Sequence, residues 1–155
     1  MNDLDIVKKA NLIFRASEHG FRATAFHEHC DGKKDTLVLI KNESGKVFGG
    51  YTHYPWDSNS GWVSDNSRRT YIFSMDMREK FVPQENQNLI CRNKSYGPMF
   101  GGGHDIFIYD ECNSNSNSHA EFPNTYNREG ENKLKKTQEN SRIFSGGKGF
   151  KVVEY

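Results

Sequence analysis

TLVLIKNESGKVFGGYT, residues 36–52, decides the fold. Residues 36–41 are apolar and β-branched, the composition of a strand. Asn42 to Gly45 carries turn chemistry, and 46–52 runs back as a second strand, so the segment predicts a β-hairpin. Working outward, RTYIFSM (69–75), a weaker NQNLICR (86–92), the strongly apolar DIFIYD (105–110) and GFKVVEY (149–155) read as further strands. Pro55 to Asp65 reads as a loop rich in Ser, Asn, Gly and aromatics. Residues 97–103 read as a turn. Upstream, FRATAFHEHCDG (21–32) places Phe21, Ala25, Phe26 and Cys30 at helical spacing and ends at Asp31-Gly32, which predicts a helix. Residues 3–10 allow a short helix, and 11–16 fit either helix or extended chain. No crossover helix is expected after residue 32. Six or so strands at hairpin spacing behind short N-terminal helices predict a mainly β, antiparallel architecture.

With 155 residues the chain fits one domain. Only 34% of residues are hydrophobic, but 13% are aromatic, which argues against a disordered chain. The 21 basic residues are balanced by 20 acidic ones, so the excess of positive charge expected of a nucleic-acid binder is missing. Three scattered cysteines, Cys30, Cys91 and Cys112, make no disulfide framework and fit a reducing compartment. No stretch approaches the length of a transmembrane helix, and MNDLDIVKKA lacks a signal-peptide core. An intracellular, cytoplasmic location is the expectation. Residues 113–142 are polar, and 128–142, with five cations against three acids, reads as a mobile charged loop. It offers a weak route to an anionic membrane.

The candidate chemical motifs are few. Phe100-Gly101-Gly102-Gly103-His104-Asp105 feeds an apolar strand, whereas a phosphate cradle feeds a helix N-terminus. The glycines are therefore expected to let the backbone pack closely. Gly49-Gly50 is expected to admit a bulge or a large side chain, with Trp56 and Trp62 as the candidates to fill that space. In Phe26-His27-Glu28-His29-Cys30-Asp31, only His27 and Asp31 have ligand spacing on a helix, so no metal site is expected. Cys30 shares the Phe26 face and is expected to be a small buried hydrophobe. No catalytic, cofactor-binding or metal-binding residue is assigned.

Several segments together are similar to one known family. RAS and HGF (residues 15–17 and 19–21), AFH (25–27), CDG (30–32), TLVLI (36–40), VFGGY (47–51), YIFS (71–74), GPMFGGG (97–103) and FKV (150–152) occur in the order of the TLDc domain and span nearly the whole chain. The pair FGGY and FGGGHD carries the specificity. The resemblance implies a two-sheet antiparallel β-sandwich flanked by short helices. It implies a role in oxidative-stress resistance without enzymatic activity, through binding to the peripheral sector of the vacuolar proton-pumping ATPase and regulating its assembly. It also implies that the chain is part of a longer protein and lacks the end of the family's final strand. The loops at Tyr54–Trp62 and 113–127 are the candidate contact surfaces. A second class stays open: a redox-active thiol or metal-dependent protein built on Cys30 and the neighbouring His27 and His29.

Overall fold

The computed structural model describes residues 9–59, 61–131, 137–145 and 149–155. The helix expected at 3–10 falls largely outside them, and residues 9–15 are neither helix nor strand. The first helices are α1 (Ala16–His19) and α2 (Ala23–Cys30). Helix α2 forms where expected. Its last turn is closed by the Asp31 N–H donating to the His27 carbonyl, and Gly32 then turns away with φ +76°.

The hairpin comes next, as β1 (Thr36–Asn42) and β2 (Val47–Thr52). β1 alternates buried and exposed at every residue, as a strand with one face on a core must. Asn42 sits at the turn: its side-chain oxygen accepts from the Ser44 and Lys46 N–H groups. Then follow β3 (Gly61–Ser64), β4 (Tyr71–Ser74), β5 (Glu79–Pro83), β6 (Asn88–Arg92), β7 (Met99–Phe100), β8 (Ile106–Phe107), β9 (Ser118–His119) and β10 (Tyr126–Asn127). The chain finishes through helix α3 (Gln138–Ser145), β11 (Gly149–Phe150) and β12 (Val152–Glu154).

The strands build two antiparallel sheets of six, ordered β10-β5-β4-β2-β1-β12 and β11-β9-β8-β7-β6-β3. The mainly β, two-sheet class expected from the sequence is the class observed. Inward residues of the first sheet fall in register, Val38 beside Gly50, Gly50 beside Ile72, and Ile72 beside Phe81. They are buried with Ile90, Phe100 and Ile106 of the second sheet in one core. One end is closed by Phe48, Phe81, Phe122 and Phe144, whose ring centroids lie 4.7–5.8 Å apart.

Five readings of the sequence are corrected. The loop between Pro55 and Asp65 contains β3, which pairs with β6. Strand β5 was not expected, and it pairs with both β4 and β10. The expected strand at 105–110 is regular over only Ile106–Phe107. The stretch 113–142 is not irregular throughout: it holds β9, β10 and the first residues of α3, whose Ile143 and Phe144 are buried. Within the charged segment 128–142, Arg128 is held at 3.0 Å from the Glu79 carboxylate, and residues 132–136 lie outside the described ones. The run 149–155 is also two strands rather than one. β11 joins the second sheet through β9, whereas β12 joins the first through β1. No helix among the described residues is long and apolar enough to cross a membrane.

Candidate functional site

The glycine run was the most conspicuous sequence feature, and the structure spends its donors internally. The Gly101 N–H donates to the Leu89 carbonyl at 2.8 Å, and the Gly102 N–H donates to the Asn88 carbonyl at 3.0 Å and Thr125 Oγ1 at 2.9 Å. Asp105 is fully buried beneath the turn. Its Oδ1 accepts from the Asn124 N–H and its Oδ2 from the Thr125 N–H, both at 2.8 Å, with the Tyr126 N–H at 3.4 Å. Burial pushes this carboxyl up to about 6, against the opposing pull of those three N–H groups. Gly101 adopts φ +86°, and a Cβ there would fall 2.1 Å from Asp105 Oδ2. A Cβ on Gly103 would fall 2.5 Å from the Asn124 side chain. The run is thus a tight turn built around a buried carboxylate, an environment that repels a phosphate.

The second glycine pair works differently. Gly49 and Gly50 keep the regular β2 register, so there is no bulge. A Cβ on Gly50 would meet the Phe100 ring at 2.6 Å, and one on Gly49 would meet the Val38 carbonyl oxygen at 1.8 Å. Phe100 therefore fills the space above Gly50, and neither tryptophan does. Trp56 stands behind Phe100 edge to face at 5.8 Å and donates from Nε1 to Thr36 Oγ1 at 2.9 Å. Trp62 lies on β3 and is exposed.

The α2 cluster is equally inward-looking. Cys30 is buried on the Phe26 face, as expected. Burial, reinforced by the charge of Asp31, pushes its thiol up to about 12. Burial pushes Cys112 up to about 12 as well, and raises Cys91. None of the three has the lowered pKa of a reactive thiol. His27 is buried, with Nδ1 2.7 Å from Asp31 Oδ1 and Nε2 3.0 Å from both the Asn93 and Tyr96 carbonyls. Asp31 also accepts from Ser58 at 2.6 Å. This network ties α2 to two loops. His29 points elsewhere, its ring 4.2 Å from that of His19. Among the described residues, no group of three or more His, Cys, Asp or Glu could hold a metal ion.

With the β2 glycine pair and the glycine turn after β7 placed, the comparison that decides the family is a family model for the TLDc domain, which matches residues 2–154. The chain belongs to the TLDc family. The family is associated with oxidative-stress resistance. No curated protein matches the chain significantly. In this TLDc domain the signature FGGY and FGGGHD segments are structural: one brings the sheets together at Gly50 and Phe100, and the other wraps Asp105.

Each of the two loops expected to carry contacts also gives aromatic rings to the core, while Asn59 and Trp62 of the first and Asn113, Ser116, Asn117 and Glu121 of the second are exposed. Trp56 in the first is almost wholly buried, and Phe122 and Tyr126 in the second are likewise buried. Sequence reasoning missed a different surface of the TLDc domain, the outer face of the first sheet. There Leu37 and Leu39 are 54% and 50% exposed. The signal was present, since TLVLI has apolar residues at both strand parities and only one parity can face the core.

Proposed function

We propose that this TLDc domain is a non-enzymatic protein-interaction module that binds the peripheral sector of the vacuolar proton-pumping ATPase and regulates its assembly. The observation that carries the reading is the family match over residues 2–154. The internal use of the glycine-turn donors and the upward shift of the buried thiols agree with action by occupancy rather than by covalent chemistry. On this reading the domain works inside the cell, on the cytoplasmic side of membranes that bear the pump. The experiment is affinity capture of purified peripheral sector by the chain, with Gly49→Val as an unfolded control, because that side chain would collide with the Val38 backbone. Retention of sector subunits by the folded chain and not by the control is expected. Failure of a well-folded chain to retain any subunit overturns the reading.

A further inference from the structure

The outer face of the first sheet is apolar, and cations surround it. By register, Leu37 stands beside Tyr51, and Tyr51 beside Tyr71. The next row has Leu39 beside Gly49, Gly49 beside Phe73, and Phe73 beside Lys80. Tyr51 and Tyr71 stack at 5.3 Å. The Phe73 ring reaches over Gly49, coming within 3.1 Å of where a Cβ would sit. The absence of a side chain at Gly49 thus lets the Phe73 ring lean across towards Leu39. Met75, just past β4, is 57% exposed. Large contiguous apolar patches rimmed by polar residues mark interaction sites.

Cations outnumber acids around it, with Glu154 of β12 standing beside Lys41 and held by Ser17. Residues 33–46 and 68–80, which form β1 and β4 with their flanking turns, carry eight Lys and Arg against four Asp and Glu, in a chain whose net charge is only +1. Three of the four acids are already engaged, Asp35 by the Tyr51 hydroxyl, Asp76 by the Val47 N–H and Glu79 by Arg128. Lys41 and Lys80 are exposed, and neither is in an ion pair among the described residues. Lys80 lies over the Tyr71 ring at 5.4 Å.

From these observations we infer that the β1-β2-β4 face docks an acidic amphipathic α-helix of a partner protein. The helix sets its apolar stripe on the Leu37 and Leu39 rows and its carboxylates against Lys41 and Lys80. Three strands span roughly 10 Å, and a helix with its side chains is about 10–12 Å across, so the face takes one helix. Attraction between the cationic rim and the acidic helix fixes the register and speeds association, while the leucine and tyrosine rows supply the buried core of the contact. The inference rests on the domain's acting as a protein-interaction module and adds the surface and the chemistry of its partner.

The test titrates the isotope-labelled chain with two synthetic helical peptides. Both carry leucines at i, i+3, i+4 and i+7, flanked by glutamates in one and lysines in the other. Amide signals of β1, β2 and β4 should move with the glutamate peptide and not with the lysine peptide. Leu39→Glu, and separately Lys41→Glu with Lys80→Glu, should each weaken binding roughly tenfold. All these positions are exposed, and melting temperatures matching the parent chain identify the variants as folded. Signals moving elsewhere, equal binding of both peptides, or unweakened variants overturn the inference. So does a silent glutamate peptide, whether the face instead pairs two copies of the chain or draws it onto anionic vesicles. Capture of the ATPase sector is scored in parallel. Retention by Leu39→Glu as strong as by the parent leaves the proposed function standing and removes this face from it. Peptide binding at the face without sector capture does the reverse.

Discussion

Adding one methyl group at Gly50 probes how closely the two sheets approach. A Cβ there would lie 2.6 Å from two carbons of the Phe100 ring. Ordinary carbon–carbon separations are about 3.5–4.0 Å, so the ring must retreat by roughly 1 Å. Phe100 is fully buried, and Trp56 stands behind it, itself held by the bond to Thr36. Retreat therefore moves Trp56 or parts the sheets. Overpacking of this kind costs about 1–3 kcal/mol. In a domain of this size that lowers the melting temperature by about 2–12 °C. Gly50→Ala, Phe100→Leu and the double variant, unfolded in urea, form a cycle. Phe100→Leu alone destabilises by about 0.5–3 kcal/mol, and the double variant should recover about 1 kcal/mol or more relative to the sum. Gly49→Ala is the contrast, because its clash at 1.8 Å is with the Val38 backbone, which trimming Phe100 does not relieve. A Gly50→Ala variant within about 0.5 kcal/mol of the parent, or strict additivity in the cycle, would refute the close packing argued for this pair.

Asp105→Asn at pH 7.5 should destabilise the fold by about 1–3 kcal/mol in thermal melts, since an amide nitrogen would then face one of the N–H groups the carboxylate now accepts. An unchanged melting temperature would remove the carboxylate from the turn's support. Trp56→Phe should cost about 1–3 kcal/mol through the lost bond to Thr36 and the emptied volume. Trp62→Ala, at an exposed site, should stay within about 0.5 kcal/mol, and a reversed order in denaturant titrations contradicts the assignment of the two rings. Iodoacetamide at pH 8 should leave Cys30 and Cys112 unmodified in the folded chain and label both in denaturant. Burial holds both thiols near 12, so the thiolate grows only as pH rises far above 8. Rapid labelling of either one in the native state would favour the thiol chemistry that the sequence left open.

The hairpin at 36–52 was legible because its strand periodicity and its turn chemistry agree, and α2 because Phe26 and Cys30 share a helical face. Where local signals conflict with tertiary context, the reading failed. Strand β5 begins with Glu79 and Lys80 and ends at Pro83, so it reads as a charged segment, and only its pairing on both sides makes it a strand. β3 hides among Ser, Asn and Gly because its partner β6 supplies the order. Helix α3 carries its buried residues late, at Ile143 and Phe144, after a polar opening with no periodicity. The run 149–155 reads as one strand because period-two patterning carries no information about which sheet a residue joins. At the candidate site, the family glycines were recognisable, but their neighbours were not. Phe100 and Asn124 meet Gly50 and Gly103 across the sheets and from a later turn, at separations no local pattern encodes, and Asp105 folds back on Gly101 within the motif only because its carboxylate accepts from Asn124 and Thr125.

The divided course of residues 149–155 has a consequence for biosynthesis. Gly149 and Phe150 pair with His119 and Ser118, Val152 and Glu154 pair with Asn42 and Lys41, and the Ala16 N–H donates to the Tyr155 carbonyl at 2.8 Å. Both sheets, and the first helix with them, gain pairing partners from residues 149–155. Contacts of such long sequence separation form slowly and cannot begin before those residues emerge. Until then β1 and β9 each lack the neighbour that covers one edge, and an unpaired strand edge is a template for other chains. A nascent chain that has not yet exposed residue 149 therefore carries nearly every core residue and still has open edges on both sheets, an interval in which a chaperone's cover matters.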